Sequence, residues 1–268
     1  MLPINNIVGY SVGGDDEQVK SVTVKAADIV DPFVKPTSYV FRLDDIYNTF
    51  KPPATTEKVV TISSDISSFF DDVFCISLPR RTDRRDIFWK NIASCNWPFK
   101  IPVIYPAMDG GVIPARKGWK GTPGALGCLE SHRAVMKIAA TRNRPVLILE
   151  DDVVFVKDFT ARVRNFLWSV PSDWDCLMLG GDHGGNPTSF VKPDILKCSF
   201  TYNTHAYCIR GSMLRAVLKD LETATEPVDV VLAQRMYTHK VYAPTEWLAG
   251  QDTSFSDVQS EMRYSRHI

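Results

Sequence analysis

The sequence predicts an α/β protein in which a mixed, mostly parallel sheet is flanked by helices and preceded by a small β-rich extension. From residue 73 onward, short strands that are apolar along their whole length alternate with amphipathic helical stretches. Strands of this kind are buried on both faces, so helices are expected on both sides of the sheet. Ligands of such folds bind beyond the carboxyl ends of the strands.

The overall composition gives no reason to expect a nucleic acid partner. Of the 268 residues, 44% are hydrophobic and 23% charged, with 31 basic and 31 acidic side chains. This balance gives no global attraction for a polyanion or an anionic membrane. The chain contains no apolar run of the ~18 residues that a membrane helix needs, and its first residues lack a signal-peptide pattern. We expect a cytoplasmic protein without a transmembrane segment.

The cysteines are predicted to be free thiols. They form no CxxC pair, and several lie within apolar strand-like runs, which favours burial over disulfides or zinc binding. The six cysteines are Cys75, Cys95, Cys128, Cys176, Cys198 and Cys208.

Residues 1–68 differ from the rest of the chain. They contain turn signals and short alternating pieces, such as those at 21–26 and 57–63, without a helical pattern. We therefore predict an N-terminal extension at 1–68 and a main domain at 69–268.

The main domain is predicted to alternate strands and helices in chain order. Its first helix begins near Thr82, with Ile87, Phe88 and Ile92 on one face. The predicted strands are 73–78, 101–107, 146–149, 175–181, 202–210 and 240–244, and the later helices are 123–142, 158–169, 211–223 and 227–237.

The end of the central strand predicts a metal site. Glu150, Asp151 and Asp152 follow four apolar residues directly, with no basic residue among them. Clustered carboxylates at the end of a buried strand repel one another unless a cation is present, and hard divalent cations prefer oxygen ligands. If the extended conformation continues, Glu150 and Asp152 point the same way and Asp151 points elsewhere.

Basic residues mark the start of the first predicted helix. Arg80, Arg81, Arg84 and Arg85 lie where the helix dipole favours acids. A phosphate-like ligand would explain them, because guanidinium groups and free helix N–H groups both bind phosphate. The alternative is a solvated helix start.

Other polar residues have ordinary interpretations when taken singly. Asp109 and Gly110 form a turn signal, and His132 fits a packed helical histidine. His205, within a predicted strand, could bind a metal or make a structural hydrogen bond. Asp229 follows a proline at a helix start, where an acid complements the dipole.

Taken in order, these segments resemble glycosyltransferase family 25, which includes bacterial lipooligosaccharide galactosyltransferases and collagen galactosyltransferases. The resemblance runs from about residue 73 to 258 and leaves residues 1–68 outside. It rests on LPRRTDRR (78–85), AMDG (107–110), PGALGCLESH (123–132), LILEDD (147–152), WDCLMLG (174–180), THAYCI (204–209), PVD (227–229) and a tail with Pro244, Gln251 and Ser256-Asp257.

The resemblance implies a GT-A-type fold and an inverting glycosyl transfer. It implies a UDP-sugar donor, most often UDP-galactose, Mn²⁺ or Mg²⁺ as cofactor, and a glycan or glycoconjugate acceptor through which any membrane contact would be made. Asp229 is the expected catalytic base, and Asp152, Glu150 and His205 are the expected metal ligands. Donor binding is expected to involve Arg80, Arg81, Arg84, Asp109, Gly110, His132, Glu150 and Asp151.

Two other functions stay open on the sequence alone. One is a catalytically silent glycosyltransferase-like binding module, and the other is a metal-dependent phosphohydrolase. The second would need carboxylates or histidines on several strands, and the chain offers few beyond 150–152. Acceptor choice is expected to depend on a loop at 183–200 and on the extension.

Overall fold

The structure is a computed structural model that describes residues 65–252, except 143, 186 and 187, and the backbone of five short strands outside this range. The chain divides into two compact units, Met1–Ile62 and Ser63–Ile268. The domain boundary expected after residue 68 stays a prediction. The strand-like piece expected at 57–63 lies outside the described residues.

The first unit contains a three-stranded antiparallel sheet. Its strands are β1 (Ile7–Gly13), β2 (Ser21–Ala26) and β3 (Ser38–Arg42), in the order β1-β2-β3. This sheet agrees with the β-rich extension that the sequence predicts.

The second unit is built on an eight-stranded mixed sheet with the order β5-β4-β6-β11-β8-β12-β10-β9. The neighbours β4, β5 and β6 are parallel, as are β8 and β12, whereas β11 is antiparallel to both β6 and β8. The strands are β4 (Asp72–Ser77), β5 (Val103–Pro106), β6 (Val146–Glu150), β8 (Cys176–Met178), β9 (Thr188–Lys192), β10 (Ile195–Cys198), β11 (Ala206–Ile209) and β12 (Val241–Pro244).

Two short antiparallel pairs complete the strands. The strand β7 (Val153–Phe155) pairs with β13 (Ala249–Gln251), and β14 (Phe255–Ser256) pairs with β15 (Glu261–Met262).

Helices cover both faces of the large sheet, as the apolar strands predict. On β6, Leu147 and Leu149 belong to one core, and Val146 and Ile148 belong to the other. The helices are α1 (Thr82–Ser94) and α3 (Phe159–Ser169) on the first face, and α2 (Pro123–Arg142), α4 (Gly211–Leu221) and α5 (Val228–Arg235) on the second. This arrangement confirms the predicted fold class.

The buried face of α1 differs from the prediction. Phe88 and Ile92 are buried, but Ile87 is 40% exposed, and Arg84 takes its place on the buried face. Residues 84, 88 and 92 recur every four positions and therefore share one face. Arg84 can be buried because it has acidic partners, described below.

Two further segments differ from the prediction. The expected loop at 183–200 contains the hairpin β9–β10, whose outer strand is largely exposed. The strand expected at 202–210 is only Ala206–Ile209, so that His205 precedes it, although the carbonyl oxygen of His205 still accepts a hydrogen bond from the Glu150 backbone. Among the described residues, no helix is long and apolar enough to cross a membrane.

Candidate active site

A cleft opens at the carboxyl edge of β4 and β6. Because these strands are parallel neighbours, the loop after β4 and the turn after β6 lie side by side. The ends of both strands contribute residues to the wall of the cleft. Its walls include many residues that the sequence predicts for donor or metal binding: Arg80, Arg84, Asp109, Gly110, His132, Glu150, Asp151 and Asp152.

A buried guanidinium lies against two of the carboxylates. The Nε of Arg84 is 2.8 Å from Oδ1 of Asp151, and its Nη2 is 3.0 Å from Oδ2 of Asp152. The three residues are 7%, 6% and 4% exposed. Burial raises the pKa of Asp151 to about 6, although Arg84 lowers it. Arg84 therefore supplies part of the positive charge that the sequence predicts at this turn.

The directions of the carboxylates differ from the expected alternation. The strand ends at Glu150, and Asp151 and Asp152 form a turn, so both of them reach Arg84. Glu150 instead accepts a hydrogen bond from Thr204 Oγ1 at 2.8 Å. The prediction assumed an extended backbone, and the turn breaks the two-residue period.

The other arginines at the start of α1 also have partners within the protein. Arg81 pairs with Asp83 at 2.9 Å and is not part of the cleft wall. Arg85 donates to the carbonyl oxygen of Leu78 at 2.6 Å and thereby ties the loop after β4 to the helix. An anionic ligand is therefore not required to explain why these basic residues lie at a helix start.

Arg80 and Asp109 form an ion pair at the mouth of the cleft. Their side chains are 50% and 38% exposed. Asp109 also accepts a hydrogen bond from the backbone N–H of Gly111 at 3.0 Å. The neighbouring Gly110 has a packing role, because a Cβ there would lie 1.6 Å from the Pro123 carbonyl oxygen. Gly110 thus allows this loop to approach the start of α2.

A second group of side chains lies between α2 and β6. His132 is fully buried, with Nδ1 at 2.9 Å from the Tyr207 hydroxyl and Nε2 at 3.4 Å from Oε1 of Glu150. The sulfur of Cys128 joins them, and the three ligand atoms all lie within 4.8 Å of one another. Cys128 is not among the site residues that the sequence predicts, although its four-residue spacing from His132 on a predicted helix was the available signal.

His205 lies apart from these groups. It is 2% exposed, and its Nε2 is 3.4 Å from the Ala249 carbonyl oxygen. A Cβ at Gly180 would lie 2.1 Å from that nitrogen, so Gly180 makes room for the ring. Among the described residues, no group of three side chains at ligand distance includes His205, so the expected set of Glu150, Asp152 and His205 is not brought together.

Asp229 lies in an adjoining cleft. Glu150 and Cys128 line both clefts and therefore mark their junction. The Asp229 carboxylate accepts hydrogen bonds from the backbone N–H groups of Val230 at 2.9 Å and Asn203 at 3.4 Å.

Burial raises the pKa of Asp229 above its ordinary value of 3.8, although the two backbone donors lower it. A helix start such as that of α5 stabilises the ionised form of a carboxylate and would by itself lower the pKa. Desolvation outweighs the helix terminus at this site.

Comparison with known proteins finds similarity to glycosyltransferases. Residues 115–183 match the model of Glycosyltransferase family 25 (LPS biosynthesis protein). This segment contains α2, the central strand β6 and the carboxylate turn. Together with curated relatives, the match confirms the resemblance to glycosyltransferase family 25.

The relatives include proteins named as active and as inactive. The human protein "Inactive glycosyltransferase 25 family member 3" is 29% identical over 175 residues, covering 56% of this chain and 29% of that protein. "Procollagen galactosyltransferase 1-A" of Xenopus laevis is 25% identical over 243 residues, covering 81% of this chain and 39% of the relative. The chain thus spans well under half the length of these relatives.

The buried ion pairs of Arg84 give a stability prediction. We expect Arg84→Ala to lower the free energy of unfolding by ~3–5 kcal/mol, because it leaves two buried carboxylates without their cation. Arg81→Ala is the matched control, because its partner Asp83 is 62% exposed and such pairs contribute at most ~1 kcal/mol. Urea denaturation measures both variants. Equal losses would show that Arg84 contributes no more than a surface arginine.

Proposed function

We propose that this protein transfers a glycosyl group from a UDP-sugar to a hydroxyl of a glycan or glycoconjugate. Galactose is the sugar that we favour. The observation that carries the proposal is the pair of clefts that meet at Glu150. One has basic and acidic side chains suited to a nucleotide diphosphate and its counterion, and the other contains a buried carboxylate. The donor would occupy the first cleft and the acceptor the second.

Arg80 is the residue best placed to receive the diphosphate. Its side chain is half exposed at the cleft mouth and pairs there with Asp109. An exposed ion pair is weak, so a phosphate group can replace the carboxylate at little cost. Arg84, by contrast, is buried against Asp151 and Asp152, so its positive charge acts on the donor from behind these carboxylates.

The charges of the cleft wall fit a hard divalent cation. Glu150, Asp151 and Asp152 line one cleft, and the buried Arg84 pairs with Asp151 and Asp152. We propose Glu150 and Asp152 as the ligands of Mn²⁺ or Mg²⁺. When bound, such an ion neutralises the charge that develops on the departing diphosphate.

Asp229 would act as the catalytic base. Two backbone N–H groups hold its carboxylate in the second cleft. The carboxylate takes the proton of the acceptor hydroxyl while the hydroxyl oxygen bonds to the anomeric carbon and the bond to the diphosphate breaks. Attack from the side opposite the leaving group inverts the anomeric configuration, and a raised pKa makes Asp229 a stronger proton acceptor.

A silent binding module is the second candidate. The observation that favours it is the name of the human relative, which describes that protein as inactive. A silent protein that retains the donor site would bind UDP without turning over a UDP-sugar. Calorimetry with UDP and Mn²⁺, followed by an assay of UDP release from UDP-galactose, separates the two functions. Absence of both binding and release would contradict the proposed donor site.

Arg80 provides a direct test of donor binding. We expect Arg80→Ala to weaken UDP binding about tenfold, which corresponds to the lower end of the ~1.5–3 kcal/mol typical of a charge-assisted hydrogen bond. The lower end applies because half of the side chain is exposed. Titration calorimetry measures the affinity, with Arg81→Ala as the control outside the cleft. Unchanged affinity in Arg80→Ala would remove this residue from the donor site.

A further inference from the structure

We propose that Cys128, His132 and Glu150 form a binding site for a borderline divalent cation, with Zn²⁺ as the best match. This site shares Glu150 with the oxygen-rich pair Glu150 and Asp152 but takes its other two ligands from α2. It would use a thiolate, an imidazole and a carboxylate, which together favour Zn²⁺ over Mn²⁺ or Mg²⁺.

The helix places two of the ligands on one face. Cys128 and His132 are four residues apart on α2, so their side chains lie one above the other. Glu150 approaches from the end of β6, and the three ligand atoms are within 4.8 Å of one another. The distance of 3.4 Å between His132 Nε2 and Glu150 Oε1 is close to the ~3.3 Å between two tetrahedral ligands of zinc.

The imidazole carries a buried nitrogen that the protein leaves without a hydrogen bond. His132 is fully buried, and its Nε2 has no hydrogen-bond partner among the described residues. Its other nitrogen, Nδ1, lies 2.9 Å from the Tyr207 hydroxyl. When Nδ1–H donates to that hydroxyl, the lone pair of Nε2 faces Glu150 and Cys128, which is the tautomer that binds a metal.

The surroundings hold the carboxylate and leave the site accessible. Thr204 Oγ1 donates to Glu150 at 2.8 Å and fixes its orientation. Cys128 and Glu150 line both clefts, so an ion can enter from either one. A fourth ligand of the ion would then be solvent or substrate. Binding requires the Cys128 thiol to release its proton to solvent as the sulfur–zinc bond forms.

The site would also regulate glycosyl transfer, a role that rests on the proposed function. A Zn²⁺ ion bound at Glu150 would compete with the catalytic cation for this carboxylate and would repel it by its charge. Occupation by Zn²⁺ is therefore expected to inhibit UDP-sugar turnover, and a chelator is expected to restore it.

Metal titration of the full chain tests the proposal without any assay of activity. We expect Co²⁺ to give a thiolate-to-metal charge-transfer band with wild-type protein, and Zn²⁺ to abolish it. In competition with a chromophoric chelator, Cys128→Ala should weaken Zn²⁺ binding by at least ~10–100-fold, since even second-shell changes have effects of this size. The control is Cys95→Ala, a partly buried thiol outside both clefts.

The outcomes separate this proposal from the donor site. Absence of the band in wild type, or equal zinc affinity of wild type and Cys128→Ala, would overturn the proposal while UDP binding stays intact. Loss of UDP binding with an intact cobalt band would instead contradict the donor site alone. If His132→Gln folds, its zinc affinity should fall as well. If His132→Gln does not fold, the zinc affinity of Cys128→Ala decides the test.

Discussion

Asp229→Asn is expected to lower turnover by ~10²-fold or more while UDP binding is preserved. Asparagine keeps the shape, and its single oxygen can accept one of the two backbone hydrogen bonds, but its amide cannot take the proton of the acceptor hydroxyl. The loss should therefore appear in kcat and kcat/KM equally, with little change in the affinity for the donor. Steady-state kinetics and calorimetry measure the two effects separately.

A structural role of Asp229 predicts a different result. An acid that only complements the start of α5 contributes ~1 kcal/mol of stability and little activity. Glu226→Gln is the matched control, because Glu226 precedes the same helix and pairs with Lys120 outside the second cleft. If both variants retained near wild-type turnover, the base would have to be sought elsewhere.

The raised pKa of Asp229 sets the sign of the pH dependence. The base form exists above this pKa, so kcat/KM should fall as the pH is lowered through it, at a higher pH than the ordinary value of 3.8. Asp229→Asn should lose this acidic limb.

Asp152→Asn is expected to reduce metal-dependent turnover by ~10²-fold or more, because the amide lacks the charge that would hold the cation beside the diphosphate. Asp151→Asn is the matched control. Both residues pair with Arg84 and are similarly buried, so both variants disturb the same ion pair. Because Asp152, and not Asp151, is proposed to bind the metal, the two variants should lose similar stability but unequal activity.

Manganese titration of turnover measures this difference. Equal activity of the two variants would show that the carboxylate turn serves the ion pair with Arg84 rather than a bound cation. In that case Arg80 and Arg84 would provide the positive charge for the departing diphosphate.

The sequence predicts most of the fold because its signals are local. The predicted strands at 146–149 and 175–181 contain short runs that are continuously apolar, which indicates buried strands, whereas the stretch at 123–142 has the length of a helix. The prediction of the cleft follows from one general rule, that carboxyl ends of parallel strands meet at one edge. This rule brings Arg80, Asp109 and Glu150 together although they are distant in the sequence.

The remaining features depend on distances between segments, which local patterns do not contain. The pairing of Arg84 with Asp151 and Asp152 arises from the packing of α1 against β7, so an arginine that seemed to face an anion is buried instead. The group of Cys128, His132 and Glu150 likewise joins α2 to the end of β6. The opposite effects of burial and backbone donors on the pKa of Asp229 also require the tertiary structure.

Proton NMR of freshly formed product from UDP-galactose tests the central claim most directly. Incubation with Mn²⁺ and wild-type protein is predicted to release UDP and to give a β-configured galactosyl product, or β-galactose by slow hydrolysis, from the α-configured donor. Asp229→Asn should bind UDP but give little product. A product with retained α configuration would contradict the single displacement, and wild-type protein that binds UDP but never releases it from any UDP-sugar would contradict the enzymatic function.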